Sequence, residues 1–321
     1  MHPIYIGKDD VARALSMESC ISLMREALSA LSSGRAIQPL RSILWLPDKT
    51  GGMGLMPAWA ADPKRLGIKV ISVFPENRKA GLSSHQGFVL LFESENGKPL
   101  AIVDADEITA IRTAAASGLA TKLLSRDIPS TLAILGSGIQ AWRHVESMLS
   151  VRKINSVRVW SRTSANAEEL AGHIARKHKI PADAFENSKD AVLGADIICT
   201  TTASPTPVVL GEWIKEGAHI NAVGSCIPRA REFDTEAIRK SKLYTDRYES
   251  LFQEAGDFII PKNEGAITDD HVRGELGEVI LGSKRGRESD IEITMFKSLG
   301  IGIEDVYAAD YVYKSVTGQT G

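Results

Sequence analysis

Three cationic side chains stand where a small anion could be gripped: Arg41 just before the run "SILWL", Lys69 inside "LGIKVISVF", and Arg112 in "DEITAIRTAAASGLATKLLS". A lysine among Leu66, Ile68, Val70 and Ile71 is costly to bury unpaired. It therefore either meets a negative group or is turned to solvent by strand alternation. Arg112 has a similar alternative as an ordinary salt-bridging helix residue, and spacing alone does not bring the three cations together.

A second chemistry is carried by "TLAILGSGIQAWRHV", in which Gly136-Ser137-Gly138-Ile139-Gln140-Ala141 spell GxGxxA. In that pattern the first glycine turns the chain and the second lets backbone approach a pyrophosphate. The small Ala141 lets helix pack on strand, and the helix N-terminus faces the phosphates. A strand-to-helix turn that binds nothing can look the same, but here a strand precedes, a helix follows, and a second strand ends at the proper distance. That second strand closes in "VRVWSRT", with Ser161, Arg162 and Thr163 where an NAD-binding chain usually places an acid. A guanidinium pairs with a 2'-phosphate that an acid would repel, so NADP(H) is favoured, with NAD(H) as the alternative. Arg162 as a plain solvated arginine is the competing reading.

The elements that must position these residues change rhythm twice. Residues 16–34 read as a helix, with Met17, Cys20, Met24, Leu28 and Leu31 recurring at three and four, Ser16 as cap and Gly34 as stop. From Ile43 to Val103 come short β-like runs with a Glu-Asn-Gly-Lys hairpin signal, implying a mostly antiparallel sheet. A helix over 106–125 follows, so rich in Ala, Ser and Thr that one face must lie close against something. After Pro129 the pattern becomes strand, helix, strand, which implies a doubly wound parallel sheet. Thr201, Thr202 and Val223, following later strands of that sheet, are nucleotide contacts by position in the fold. Near residue 290 the alternation Ile291, Ile293, Met295 and a final helix with Val306, Ala309, Tyr313 and Val316 on one face resemble the first region. The expectation is an α/β protein with a Rossmann domain, 126–289, inserted between the halves of an α+β domain, 1–125 and 290–321.

Composition narrows the partners. The 321 residues are 43% apolar, enough for a large core, and 38 Lys+Arg nearly balance 40 Asp+Glu. No basic stripe alternates with aromatics, so nucleic acid and anionic membranes are not expected partners. No leader pattern or apolar run of about 20 residues is visible, and the expected location is cytoplasmic. Cys20, Cys199 and Cys226 are odd in number and far apart, which suits reduced thiols. The seven histidines include no HExxH or HxH pair, so no zinc site is expected.

"GLMPAW", "LGIKVIS", "SSHQGFVLLFESENGKPLAIVDADEITAIRTAAASGLATKLL", "LAILGSGIQA", "VWSRT", "INAVGS" and "ITMFKSLGIGIEDVYAA" together resemble the ornithine cyclodeaminase/mu-crystallin family over nearly the whole chain. The resemblance implies a homodimer whose split domain builds the interface and substrate site, and a Rossmann domain holding NAD(P). It implies that Arg41, Lys69 and Arg112 clamp a substrate carboxylate, with His85 of "SHQ" a candidate proton donor or a structural hydrogen-bonder. It adds Thr113 and Ser298 to the nucleotide contacts. The cyclodeaminases of the family carry an aspartate after "NAVG" and a glutamate before "MP"; here Cys226 and Gly54 stand there. Both acids that would handle a distal amine are missing, so the likeness is to the ketimine reductase members. The implied reaction is hydride transfer to C2 of a C=N bond beside a carboxylate, as in Δ1-pyrroline-2-carboxylate or Δ1-piperideine-2-carboxylate, giving L-proline or L-pipecolate. Three alternatives are an amino-acid dehydrogenase of the alanine type, an ornithine cyclodeaminase, and a non-enzymatic binder of a small ligand.

Overall fold

The computed structural model describes residues 2–319. Positions 1, 320 and 321, at the outer ends of the expected first domain, lie outside the described residues. The chain divides into two compact units, Met1–Arg112 with Gly300–Gly321, and Thr113–Leu299.

The first unit is built on a seven-stranded sheet. Its strands run in the order Ile4–Ile6, Pro99–Asp104, His85–Glu93, Arg65–Val73, Gly52–Ala60 and Ala36–Ile37, and Ser42–Trp45 also pairs with Gly52–Ala60. Every pairing is antiparallel except the first. The hairpin signal is a turn in which Gly97 takes φ 74° and the Glu93 amide donates to the Lys98 carbonyl at 2.9 Å. Helix Met17–Ser32 begins where Ser16 Oγ accepts the Ser19 amide at 3.1 Å, and the chain leaves it through Gly34 at φ 74°. The final helix, Gly302–Thr317, packs on that helix and on the strands Gly52–Ala60 and Arg65–Val73. Its Val306 and Ala309 are fully buried, while Val316 near its end is half exposed.

Strand alternation divides Arg65–Val73 into two faces. Gly67, Lys69 and Ile71 are buried, whereas Leu66 is exposed and Ile68 and Val70 are intermediate. Lys69 therefore points into the protein with Ile71, whereas Leu66, Ile68 and Val70 point the other way. Tyr5, Ile37, Leu44, Met53, Leu66 and Phe88 are all exposed in this unit, an unusual amount of apolar surface for one sheet.

The second unit is an eight-stranded, wholly parallel sheet. Its order is Ala182–Phe185, Ile154–Trp160, Ser130–Leu135, Ile197–Thr200, His219–Ala222, Ile293–Lys297, Ser241–Thr245 and Val272–Glu275. The first five of these, read by chain position, follow the 3-2-1-4-5 order of dinucleotide folds. Strand order reverses between Ser130–Leu135 and Ile197–Thr200, the place where such sheets bind ligands at their carboxyl ends.

Two expected boundaries move. The first falls at 112/113, inside helix Ala105–Leu124, rather than at 125/126. The later part of that helix serves the second unit: Ser117 Oγ pairs with His144 Nε2 and Asn221 Nδ2 donates to Thr121 Oγ1, each at 2.9 Å. The second boundary falls at 299/300 rather than 289/290, because Ile293–Lys297 is a parallel strand of the second sheet. Its alternation was a false signal. All five residues are buried, as a strand covered on both faces requires, and Ile291 lies outside it, exposed to solvent.

The first unit closes around a missing side chain. A Cβ at Gly67 would stand 2.8 Å from Val306 Cγ2 and 3.1 Å from the Leu90 carbonyl. Gly67→Val is expected to push the final helix off the sheet and cost about 1–3 kcal/mol. Thermal unfolding should show that loss, while Lys98→Arg in the exposed hairpin turn leaves the midpoint nearly unmoved.

Candidate active site

In the first unit the three cations converge on the first turn of the final helix. Lys69 Nζ lies 2.8 Å from Asp305 Oδ2 and 3.4 Å from Thr109 Oγ1. Arg112 Nε donates to Asp305 Oδ1 and its NH1 to Glu304 Oε2, both at 2.9 Å. Arg41 NH2 donates to the Gly300 carbonyl at 2.9 Å. Lys69 is 2% exposed, Arg112 3%, and both acids are fully buried. Gly300 makes the close approach workable, since it takes φ 71° and a Cβ there would stand 2.5 Å from Arg112 NH1.

The electrostatics follow from burial. Desolvation, helped by the charges of Arg112 and Arg41, pushes the Lys69 ammonium down to about 8 against the pull of Asp305. Burial alone would raise Asp305, but Arg112 and Lys69 override it and hold the carboxyl below its usual range. Lys69 Nζ has three N–H groups, and beyond the ion pair with Asp305 and the bond to Thr109 at least one is left to donate among the described residues.

His85 is not part of this cluster. Lys69 opposes Val89 in the sheet, whereas His85 opposes Val73, four residues along the strand and about 13 Å away at ordinary strand rise. It is exposed, with Nδ1 3.0 Å from Ser84 Oγ. Glu304 and Asp305 are the functional residues that sequence reasoning passed over. The signal was two adjacent acids at the start of a helix read only for its apolar face, together with a buried-looking lysine that lacked a partner.

In the second unit the glycine turn has the shape its sequence implies. Gly136 takes φ 121°, its amide donates to the Trp160 carbonyl at 2.8 Å, and a Cβ there would stand 2.6 Å from Thr201 Oγ1. Gly138 begins helix Ile139–Val151 with no side-chain cap, and nothing lies within 4 Å of where its Cβ would be. Ala141 is fully buried, Ile139 is exposed, and Gln140 lies between them at intermediate burial. Ser137 Oγ and Ser161 Oγ are 2.9 Å apart, tying the turn to the end of the second strand. Beyond it Arg162 and Thr163 are exposed. The Thr201 amide donates to the Leu135 carbonyl at 2.8 Å, and the Val223 amide to the Thr200 carbonyl at 3.0 Å. Thr113 and Ser298 are both buried. An uncapped helix N-terminus, a turn without side chains and open space before Gly138 suit a pyrophosphate. Among the described residues no cluster of three or more His, Cys, Asp or Glu could hold a metal ion, and no helix is long and apolar enough to cross a membrane.

A parallel sheet with the dinucleotide strand order, a glycine turn at its switch point and a separate unit with a buried cation cluster define a nucleotide-dependent oxidoreductase type of architecture. The chain belongs to the ornithine cyclodeaminase/mu-crystallin family, whose model matches residues 4–320. It is 38% identical over 312 residues to a Delta(1)-pyrroline-2-carboxylate reductase of Bacillus cereus, covering 97% of this chain and 96% of that one. It is 38% identical over 317 residues to the ketimine reductase mu-crystallin of Mus musculus, covering 98% and 97%. The structure of Thermococcus litoralis Delta(1)-pyrroline-2-carboxylate reductase in complex with NADH and L-proline superposes with a TM-score of 0.95 at 38% identity, covering 98% of each chain.

Asp305 holds two buried cations with one carboxylate, so Asp305→Asn should be among the most damaging conservative changes in the first unit. Leaving Lys69 and Arg112 without that charge is expected to cost about 3–5 kcal/mol, read as a lowered unfolding midpoint. Glu95→Gln, which breaks the exposed 2.6 Å pair with Lys64, should leave the midpoint where it is.

Proposed function

We propose that this protein reduces a C=N bond next to a carboxylate, with Δ1-pyrroline-2-carboxylate and Δ1-piperideine-2-carboxylate as substrates and L-proline and L-pipecolate as products. The observation that carries the reading is the remaining N–H of Lys69, on a buried ammonium fixed by Asp305 beside the Arg112 guanidinium. A carboxylate is the small group best matched to such a donor. The names of the Bacillus cereus and mouse relatives support the same substrate class.

In this reading Lys69 and Arg112, with Arg41 at the edge of the cluster, hold the substrate carboxylate and thereby fix the adjacent electrophilic carbon. Positioning is most of the catalysis. The reduced nicotinamide, when bound, supplies the hydride. The second unit holds its pyrophosphate at Gly136, Ser137 and Gly138, and its ribose side at Ser161, Arg162 and Thr163. Thr201, Thr202 and Val223 line the loops that meet the nicotinamide half, with Thr113 and Ser298 completing the set. Lys69 titrates near 8 and is therefore also the group best placed to give a proton to an imine that arrives neutral. His85 stands aside from this step. The protein works as a homodimer joined through the open apolar face of the first sheet.

The deciding experiment is an NAD(P)H oxidation assay with the two cyclic imines and with pyruvate plus ammonia, and a separate assay for ammonia release from ornithine. Oxidation driven by the cyclic imines supports the proposal. Rapid release of ammonia from ornithine without net NADPH consumption overturns it, and activity confined to pyruvate plus ammonia assigns an amino-acid dehydrogenase instead.

Two further outcomes are expected. The carboxylate needs the protonated form of Lys69, which is full below its pKa of about 8 and lost as pH rises through it. Imine kcat/KM should therefore fall above about pH 8 in the wild type. In Lys69→Arg that limb should move out of range, because a guanidinium stays charged. The second outcome concerns cofactor choice. Arg162 is exposed and makes no hydrogen bond or ion pair among the described residues, so it is available for a 2'-phosphate. Arg162→Ala should weaken NADPH by about 1.5–3 kcal/mol and leave NADH nearly unchanged. Equal losses for the two cofactors would remove Arg162 from the phosphate site.

A further inference from the structure

Eight residues beyond Gly224, in a stretch that no nucleotide-binding pattern covers, Glu232 is completely buried in the second unit. Its carboxylate receives four hydrogen bonds. Oε1 accepts the Thr202 amide and the Thr202 hydroxyl, each at 2.7 Å. Oε2 accepts the Thr200 hydroxyl at 2.7 Å and the Gly224 amide at 2.8 Å. These donors come from the carboxyl ends of two neighbouring strands, Ile197–Thr200 and His219–Ala222, and from the loops that follow them. One side chain thus ties together both loops assigned above to the nucleotide.

The glutamate is itself held from behind. Asp257 Oδ1 accepts the backbone amides of Glu232 and Phe233 at 2.8 and 3.1 Å, and Asp257 Oδ2 pairs with the buried Lys297 ammonium at 3.0 Å. The Glu232 carbonyl accepts the amides of Val208 and Val209. Burial pushes the Glu232 carboxyl up, opposed by the charge of Lys297 and by the threonine donors. The two amide donors cannot turn round, unlike hydroxyls, so each oxygen must keep a lone pair toward the backbone. Space enforces the same arrangement, because a Cβ at Gly224 would stand 2.0 Å from the Thr202 carbonyl and 2.5 Å from Glu232 Oε1.

We propose that Glu232 is a positioning residue for the nucleotide: its two oxygens lock the Thr201–Thr202 and Val223–Gly224 loops in one register, so that their backbone meets the cofactor preformed. The inference rests on the reading that these loops contact the nucleotide. A glutamine is nearly the same size but has a single acceptor oxygen, and its NH2 must face either the Thr202 or the Gly224 amide. Glu232→Gln therefore unlocks one loop without opening a cavity.

The test uses the full-length protein with NADH as probe. Glu232→Gln should raise the Kd for NADH about tenfold or more, the equivalent of about one lost hydrogen bond. Hydrogen exchange should quicken at the amides of Thr202 and Gly224. The imine KM at saturating NADH should stay within about twofold of wild type, a split that general loosening of the fold would not produce. A folded Glu232→Gln protein with unchanged NADH affinity overturns the proposal. Should that variant fail to fold, Thr200→Val takes its place, since it removes one donor to Oε2 and keeps the side-chain shape. An NADH Kd raised about threefold then supports the proposal and an unchanged one overturns it. Gly138→Asp separates the two levels of argument. It places a carboxylate in open space before the helix N-terminus and should abolish NADH binding in a folded protein. Binding that survives Gly138→Asp would remove the nucleotide reading, and this inference with it. Loss in Gly138→Asp with no effect of the Glu232 and Thr200 changes would remove this inference alone.

Discussion

The bridge from Asp305 to Lys69 and Arg112 sets the terms for the first unit. Two cations taken out of water need a counter-charge at hydrogen-bond distance, because removing one partner from a buried pair costs several kcal/mol. Here that counter-charge comes from residues 304 and 305, nearly two hundred positions beyond Arg112. The chain must therefore return to its first sheet after completing the second unit, and a discontinuous first unit follows from electrostatics as much as from packing. The return is geometrically demanding. Gly300 turns at positive φ against the Arg112 guanidinium, and Gly302 lies so close to the strand Gly52–Ala60 that a Cβ would stand 2.8 Å from the Met56 carbonyl. Glu304 and Asp305 then fall in the first turn of the final helix, where the helix dipole favours negative charge.

What could be read from the sequence was whatever periodicity and turn chemistry encode locally. The capped helix Met17–Ser32, the hairpin at Gly97 and the glycine turn before helix Ile139–Val151 carry their instructions within a few residues. The inward direction of Lys69 was not local information: alternation gives two faces without saying which is buried, so burial against an acid and exposure to solvent stayed equally open. Strand Ile293–Lys297 was misassigned for a related reason. A strand covered on both faces loses the alternation that would identify it, and the apparent period came partly from Ile291, which lies outside. Met53 and Trp59 stand on the opposite face of their strand from Met56, the residue that opposes Lys69, a division that residue size does not reveal.

Acids were the residues least visible in the sequence, and they carry the most structure. Glu304, Asp305, Glu232 and Asp257 each have partners at least 25 residues away in the chain, and none belongs to a motif that names a role. Each became legible only once burial was known, because a buried carboxylate without donors is not a stable arrangement. A lysine in an apolar run is the sequence trace of such an acid. For Lys69 a negative partner was one of two open readings; Lys297 in "ITMFKS", not singled out in the sequence, is likewise buried against Asp257.

The two units handle buried charge in opposite ways, and the contrast bears on the chemistry. Glu232 has both oxygens filled from its own unit, a closed arrangement suited to holding loops still. Lys69 has a donor to offer and a pKa brought down to about 8, an arrangement suited to a ligand that carries negative charge. Ring closure with loss of ammonia would need further proton-handling groups near the substrate. Gly54 offers no side chain on the Lys69 face of its strand, where even a Cβ would stand 3.2 Å from Ile71 Cγ2. Cys226 directs its thiol at the carbonyls of Val223 and Ser298. Neither position supplies a carboxylate for such a step, which fits the proposed reduction, where a held carboxylate and a delivered hydride suffice.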